Sequence, residues 1–270
     1  MSEGVAGFEQ LGFSVEGFVA KITLNRPEKH NAIGARMVEE FSAALDAVEA
    51  SGVRAVVLTG AGGRAFCSGV DLKERQAMSA DEKWGHNRAI NAFANRLARS
   101  QVPTVAAING LALGGGFELT LACDFRLAAG HAAFALPEVG LGIIPGAGGT
   151  QRLPRLIGPS RAKEMILTAR RIDAKTALDW GMLNGVVPAA ELPQAANALA
   201  GEVAKNSPLS VAHAKAAVDV AMETSFEQGF RFETAAIWAT LASPDYEEGL
   251  AAFAGKRRPE FPPLTAKDVT

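Results

Sequence analysis

Three times in this chain a short apolar strand runs into a glycine-rich turn, and small-residue loops then lead on to a helix. Val53 to Thr59 ends at Gly60, Gly62 and Gly63, and Thr104 to Ile108 runs toward Gly114-Gly115-Gly116. Short strands at Asp124 to Leu127 and Ala132 to Phe134 precede the loop LPEVGLGIIPGAGG and a helix near Gln151. A unit recurring in this way predicts stacked short strands within an α/β fold. The period is loose, so it leaves a doubly wound sheet open as well.

The segments between the units are simpler to read. Gly17 to Leu24 alternates as a strand, NRPEKHNA forms a turn, and a helix follows over 35–50 with Met37, Phe41, Ala44, Leu45 and Val48 on one side. AFCSGVDLKE reads as an extended loop, and 80–100 as a polar helix. Beyond Asn206 only helices are expected. Phe226, Phe230, Ile237, Trp238 and Leu241 share one helical face, and Tyr246, Leu250 and Phe253 another. A core stripe is the commoner cause of such faces, and burial against another subunit is the alternative. The closing PEFPPLTAKDVT reads as frayed.

At 270 residues the chain can form one large domain, or one domain with an appendage. We divide it into a core at 1–205 and a helical region at 206–270. Twenty-seven basic against 29 acidic side chains give no global field for nucleic acid. Glu39, Glu40, Asp46 and Glu49 face only Arg36 on the first helix, which argues against an RNA-binding module. No apolar run approaches the roughly 18 residues of a bilayer span, and Met1 to Gln10 has neither a signal nor a transit signature. The expectation is a soluble cytoplasmic protein with no membrane partner. Cys67 and Cys123 lack metal or redox spacing and read as reduced thiols.

Chemistry concentrates at two glutamates. Glu118 follows Gly114-Gly115-Gly116-Phe117, and Glu138 follows Pro137 twenty residues later. A glycine run entering a helix presents unblocked N–H groups that suit a developing oxyanion. Two carboxyls beside it can move protons and activate water. Spacing alone leaves a plainer reading open, with Glu118 a first-turn residue favoured by the helix dipole and Glu138 a surface acid.

Other chemistries find less support. Gly60 to Ala65 imitates a dinucleotide fingerprint, but an extended loop rather than a helix follows it. No Gly-Lys-Ser/Thr phosphate loop occurs. His30, His86, His131 and His213 are scattered without metal spacing, and His30 and His86 sit in polar stretches that suggest solvated rings. No metal site is expected.

AFCSGVDLKE, INGLALGGGFEL and FALPEVGLGIIPGAGGTQRL, in this order, closely resemble the crotonase (enoyl-CoA hydratase/isomerase) superfamily. The likeness runs from NRPEKHNA to FAGKRRPEF. It implies a spiral of ββα repeats with a C-terminal helical region packing between subunits, in a homotrimer or a hexamer built as a dimer of trimers. It places the oxyanion hole at the N–H groups of Val70 and Gly115. By the same resemblance Glu118 orients and deprotonates water for attack at Cβ, and Glu138 delivers a proton to Cα. The implied activity is reversible hydration of a 2-enoyl-CoA thioester, without a cofactor, coenzyme A being part of the substrate. Coenzyme A would pass Asn25, Arg26 and Lys29 and the edge around Ser68, Asp71, Leu72 and Lys73. Lys256 and Arg257 are further candidates for its phosphates, while Asp71 can instead cap or brace its loop. DLKERQAMS looks like methylglutaconyl-CoA hydratases, whose substrate carboxylate calls for a cation such as Lys73, Arg75 or Arg88. An enoyl-CoA isomerase is the rival chemistry, and retention of both glutamates argues against it.

Overall fold

The computed structural model describes residues 7–264. Strands β1 (Leu11–Glu16) and β2 (Val19–Leu24) form an antiparallel hairpin, and α1 (Ala35–Ala50) follows. The repeated unit then appears three times. The first holds β3 (Ala55–Gly60), β4 (Ala65–Cys67), α2 (Leu72–Gln76) and α3 (Ala80–Ala98). The second holds β5 (Thr104–Ile108), β6 (Leu111–Leu113) and α4 (Gly115–Leu121). The third holds β7 (Phe125–Ala129), β8 (Ala133–Ala135), a 3-10 turn over Glu138–Leu141 and α5 (Gly149–Ile157).

Each unit places its first strand in one sheet and its second in another. With β9 (Ile172–Asp173) and β10 (Gly185–Val187) included, the sheets run β1-β2-β3-β5-β7-β10 and β4-β6-β8-β9. Pairing between successive units is parallel. Every unit therefore advances one position in both sheets, which produces a spiral rather than a doubly wound sheet. The turn between β3 and β4 is too tight for a side chain, since a Cβ on Gly60 would lie 2.5 Å from the Phe66 carbonyl oxygen.

Helices α6 (Pro159–Thr168), α7 (Ala174–Asp179) and α8 (Leu192–Ala204) complete the core region. The strands of the larger sheet are apolar on both faces for a specific reason. Val56, Leu58, Ala106 and Ile108 enter the main core with Phe41 and Leu97. Ala55, Val57, Val105 and Ala107 pack on the opposite side against Leu192, Ala196, Ala200 and Ala204 of α8. A strand covered on both faces has no polar alternation to read. The short strands β4 and β6 span too few residues to register a period, and the segment containing β4 reads from sequence as loop.

The C-terminal helices α9 (Pro208–Ala221), α10 (Phe226–Leu241) and α11 (Pro244–Ala254) correct the core-stripe expectation. Phe226, Trp238 and Phe253 are 88%, 75% and 86% exposed in the isolated chain, while the small residues Ala236 and Ala252 are buried. The segment expected to fray is also held through Phe261. Arg54 stacks on Phe18 and donates to the Phe261 carbonyl at 2.5 Å, and Glu260 N–H donates to Glu248 at 2.7 Å. The final residues 265–270 lie outside those described. Among the described residues no helix is long and apolar enough to cross a membrane.

Candidate active site

The three glycines ahead of Glu118 serve different ends. Gly114 turns the chain from β6 into α4 at φ +52°, and a Cβ there would sit 3.0 Å from Glu138 Oε1. A Cβ on Gly116 would fall 2.3 Å from the Cys67 carbonyl oxygen, so α4 is pressed against β4 at that point. Gly115 is the open position, where a Cβ would meet Val70 Cγ2 at 3.7 Å and the Val70 nitrogen at 4.0 Å.

Val70 reaches this place through an isolated bridge to Ile33. Ile33 N–H donates to Gly69 O at 2.8 Å and Asp71 N–H to Ile33 O at 2.9 Å, which leaves Val70 N–H outside the bridge. Neither Val70 N–H nor Gly115 N–H finds a hydrogen-bond partner among the described residues. Two unpaired backbone donors side by side can receive an anionic oxygen.

Both glutamates are buried, at 2% exposure for Glu118 and 8% for Glu138, which removes the plainer surface reading. Glu118 Oε1 accepts from Ala147 N–H at 2.8 Å and Gly149 N–H at 2.7 Å. Burial raises its pKa above the ordinary carboxylate value, and the backbone donors and Arg152 oppose that rise. Glu138 has fewer such partners, and its Oε2 is buried without any. Burial, reinforced by the charge of Glu118, pushes its pKa up to about 7. The same residue type therefore offers a braced carboxylate and a retained acid in one place.

Arg26 requires a correction as a free phosphate ligand. Its guanidinium is 7% exposed and donates to Ala32 O at 2.7 Å, Asp71 Oδ2 at 3.0 Å and Glu74 Oε1 at 3.2 Å. Asp71 is buried, and its other oxygen accepts from Lys73 N–H and Glu74 N–H at the start of α2. The pair is an internal clasp, with Asp71 as the capping residue. Lys29 approaches Asp71 at 3.5 Å but is half exposed. Leu72 and Lys73 are exposed on the same edge, and Ser68 is partly exposed with its N–H on His30 O. Lys256 is exposed just past α11. Arg257 is committed to both oxygens of Glu248 at 2.5 and 2.7 Å.

His86 also differs from its expected solvated state. It is 8% exposed, both ring nitrogens lack partners, and burial with the nearby Arg75 charge lowers its pKa. Arg75 Nε is likewise buried without a partner. Sequence reasoning missed Asn91, Asn95 and Arg152, which lie behind the loop that grips Glu118. Arg152 stands within the GAGGTQRL run, but nothing in its spacing marks the carbonyl it meets. The cysteines are buried, and burial pushes the thiols of both up to about 12, so they are inert.

Comparison with known proteins gives consistent results. A sequence-family profile described as "Enoyl-CoA hydratase/isomerase" matches residues 14–263. A short-chain-enoyl-CoA hydratase of Clostridium acetobutylicum is 39% identical, over 91% of this chain and 94% of its own. A crotonyl-CoA hydratase of Syntrophomonas wolfei is 38% identical, over 94% of this chain and 98% of its own. The crystal structure of an enoyl-CoA hydratase from Bacillus anthracis superposes with a TM-score of 0.91 at 42% identity, covering 94% of this chain and 99% of that one.

Proposed function

Because the chain belongs to the enoyl-CoA hydratase/isomerase family, we propose that it adds water reversibly across the 2,3 double bond of a 2-enoyl-CoA thioester, giving 3-hydroxyacyl-CoA. The observation that carries this reading is the pair of buried glutamates beside two unpaired backbone N–H groups. The thioester oxygen lies on Val70 and Gly115 N–H. These donors are rigid and cannot titrate, and each contributes ~3 kcal/mol to stabilising the enolate oxygen.

Glu118, ionised and held through Oε1, removes a proton from water as the water oxygen bonds to Cβ. Glu138, still protonated, gives its proton to Cα as the enolate collapses. Each turnover leaves Glu118 protonated and Glu138 ionised, so exchange with solvent resets the pair. An isomerase needs one group to carry a proton between carbons. A second buried carboxylate gripped by two amides favours hydration instead.

Coenzyme A runs along the edge formed by Ser68, Leu72 and Lys73, with Lys29 and Lys256 near its phosphates. Exposed Leu141, Ile143 and Ile144, beside Glu138, form an apolar wall suited to an acyl chain. The exposed aromatic faces of α10 and α11 support assembly as a homotrimer or a dimer of trimers. The buried free thiols fit a cytoplasmic setting.

A second reading of the substrate, a thioester carrying a distal carboxylate such as methylglutaconyl-CoA, rests on the unpartnered Arg75 Nε and His86 nitrogens. Arg75 lies on α2, which starts two residues after Val70.

The test is a panel of enoyl-CoA thioesters, short, long, branched and carboxylated. Loss of the conjugated chromophore is followed and each product identified. Hydroxyacyl products support the assignment, and a shifted alkene as the sole product contradicts it. Turnover of methylglutaconyl-CoA far below that of crotonyl-CoA removes the second reading.

A further inference from the structure

A set of polar side chains lies on the far side of the loop that holds Glu118. That loop, residues 146–149, directs Ala147 and Gly149 N–H onto Glu118 Oε1. Its outward carbonyls are also taken. Gly146 O accepts from Asn91 Nδ2 at 2.9 Å, and Ala147 O accepts from Arg152 Nη1 at 2.9 Å. The two donors are linked to each other, since Arg152 Nη2 donates to Asn95 Oδ1 at 2.7 Å and Asn95 Nδ2 donates to Asn91 Oδ1 at 2.5 Å.

The loop is shaped around this guanidinium. Gly148 sits at φ +104°, and a Cβ there would fall 2.1 Å from Arg152 Nη1. Asn91 and Asn95 are one helical turn apart on α3, and Arg152 lies in the first turn of α5. Two helices therefore grip the loop from behind. Asn91 holds the carbonyl of the same peptide whose N–H is that of Ala147, and Arg152 holds the carbonyl of the next peptide, Ala147–Gly148, which lies between the two that donate to Glu118.

We propose that Arg152, linked through Asn95 to Asn91, is a positioning residue that locks the 146–149 loop onto Glu118 and keeps this carboxylate ionised to take a proton from water. The inference rests on the hydratase reading for its chemistry and on the hydrogen-bond chain for its geometry. Arg152 acts through the loop and through its charge, without touching the substrate. Two charged groups face Glu118, namely Arg152 from α5 and Glu138 from the 3-10 turn. Arg152 in turn faces Arg99 past the end of α3, Cys123 after α4 and Glu223 after α9. The Cys123 thiol stays protonated, Arg99 opposes the Arg152 charge and Glu223 favours it.

The experiment compares wild type with Arg152→Met, Arg152→Lys and Asn95→Ala in two readouts. The first is the pH dependence of hydration, separated into kcat and KM. The second is a carbon-13 titration of the Glu118 carboxyl, assigned by its loss in Glu118→Gln, which needs no turnover. Arg152→Met is expected to move the acidic limb of kcat and the Glu118 titration upward together by about 1 pH unit, with KM within about twofold of wild type. Arg152→Lys restores most of the limb, and Asn95→Ala falls between.

An unmoved limb and titration, with activity falling only as folded protein is lost, overturn the proposal. If Arg152→Met does not fold, Arg152→Lys and Asn95→Ala decide the matter by the same two readouts. Wild type that hydrates no thioester sinks the reaction assignment, while a Glu118 titration displaced in the variants still supports the relay.

Discussion

Burial holds the Glu138 proton up to about pH 7, and that displacement governs two measurable behaviours. In its proposed role as general acid Glu138 must be protonated, so hydration is expected to decline as pH rises through about 7. Stability follows the same titration. A carboxyl whose folded pKa exceeds the ordinary 4.5 imposes no penalty when both folded and unfolded chains are protonated. The penalty grows as pH rises from about 4.5 to 7 and is constant above that. Glu138→Gln is therefore expected to raise stability at pH 8 by about 1–3 kcal/mol and to have almost no effect at pH 4.5. Denaturant melts at the two pH values check this, and a variant equally destabilised at both contradicts it.

The Arg26 clasp joins three elements, since Arg26 follows β2, Ala32 precedes α1, Asp71 caps α2 and Glu74 lies on it. Burial would push the Asp71 carboxyl up, but its backbone donor at Glu74 and the charges of Arg26 and Lys29 hold it below the usual value. Its contribution is complete above the unfolded value and is lost as pH falls through the folded one. Arg26→Met leaves that charge buried and should cost about 3–5 kcal/mol at pH 7, measured by urea unfolding. A loss under 1 kcal/mol would show the pair to be dispensable.

Elements of this kind also show how far the sequence could be read. α1 was legible to the residue because Met37, Phe41 and Val48 mark one face. Gly114-Gly115-Gly116 and both glutamates stand in local motifs. The partner of Arg26 lies 45 residues away, and Arg152 meets a backbone carbonyl and the side chain of Asn95, 57 residues away, so neither set of contacts leaves a trace in spacing. Glu40 counts in the sequence among the acids of α1 set against Arg36 alone. It is buried because it accepts the N–H groups of Glu9, Gln10 and Leu11 where the chain enters β1.

At the scale of the molecule, the spiral places Val70, Gly115, Glu118 and Glu138 on successive units, so the site exists only when the three units stack. The C-terminal helices leave Phe230, Ile237 and Trp238 more than half exposed. Light scattering is expected to give a mass that is a multiple of three chains of 28.2 kDa, and Trp238→Glu to reduce it. A monomer in the wild type removes the assembly proposed from this face. The proposed proton transfer between two glutamates and a bound thioester is read by kcat for crotonyl-CoA at pH 7 in Glu118→Gln and Glu138→Gln, with acyl-CoA binding measured on the same samples. Both variants are expected to lose about 100-fold or more in kcat with acyl-CoA still bound; turnover close to wild type in either would rule out its assigned role.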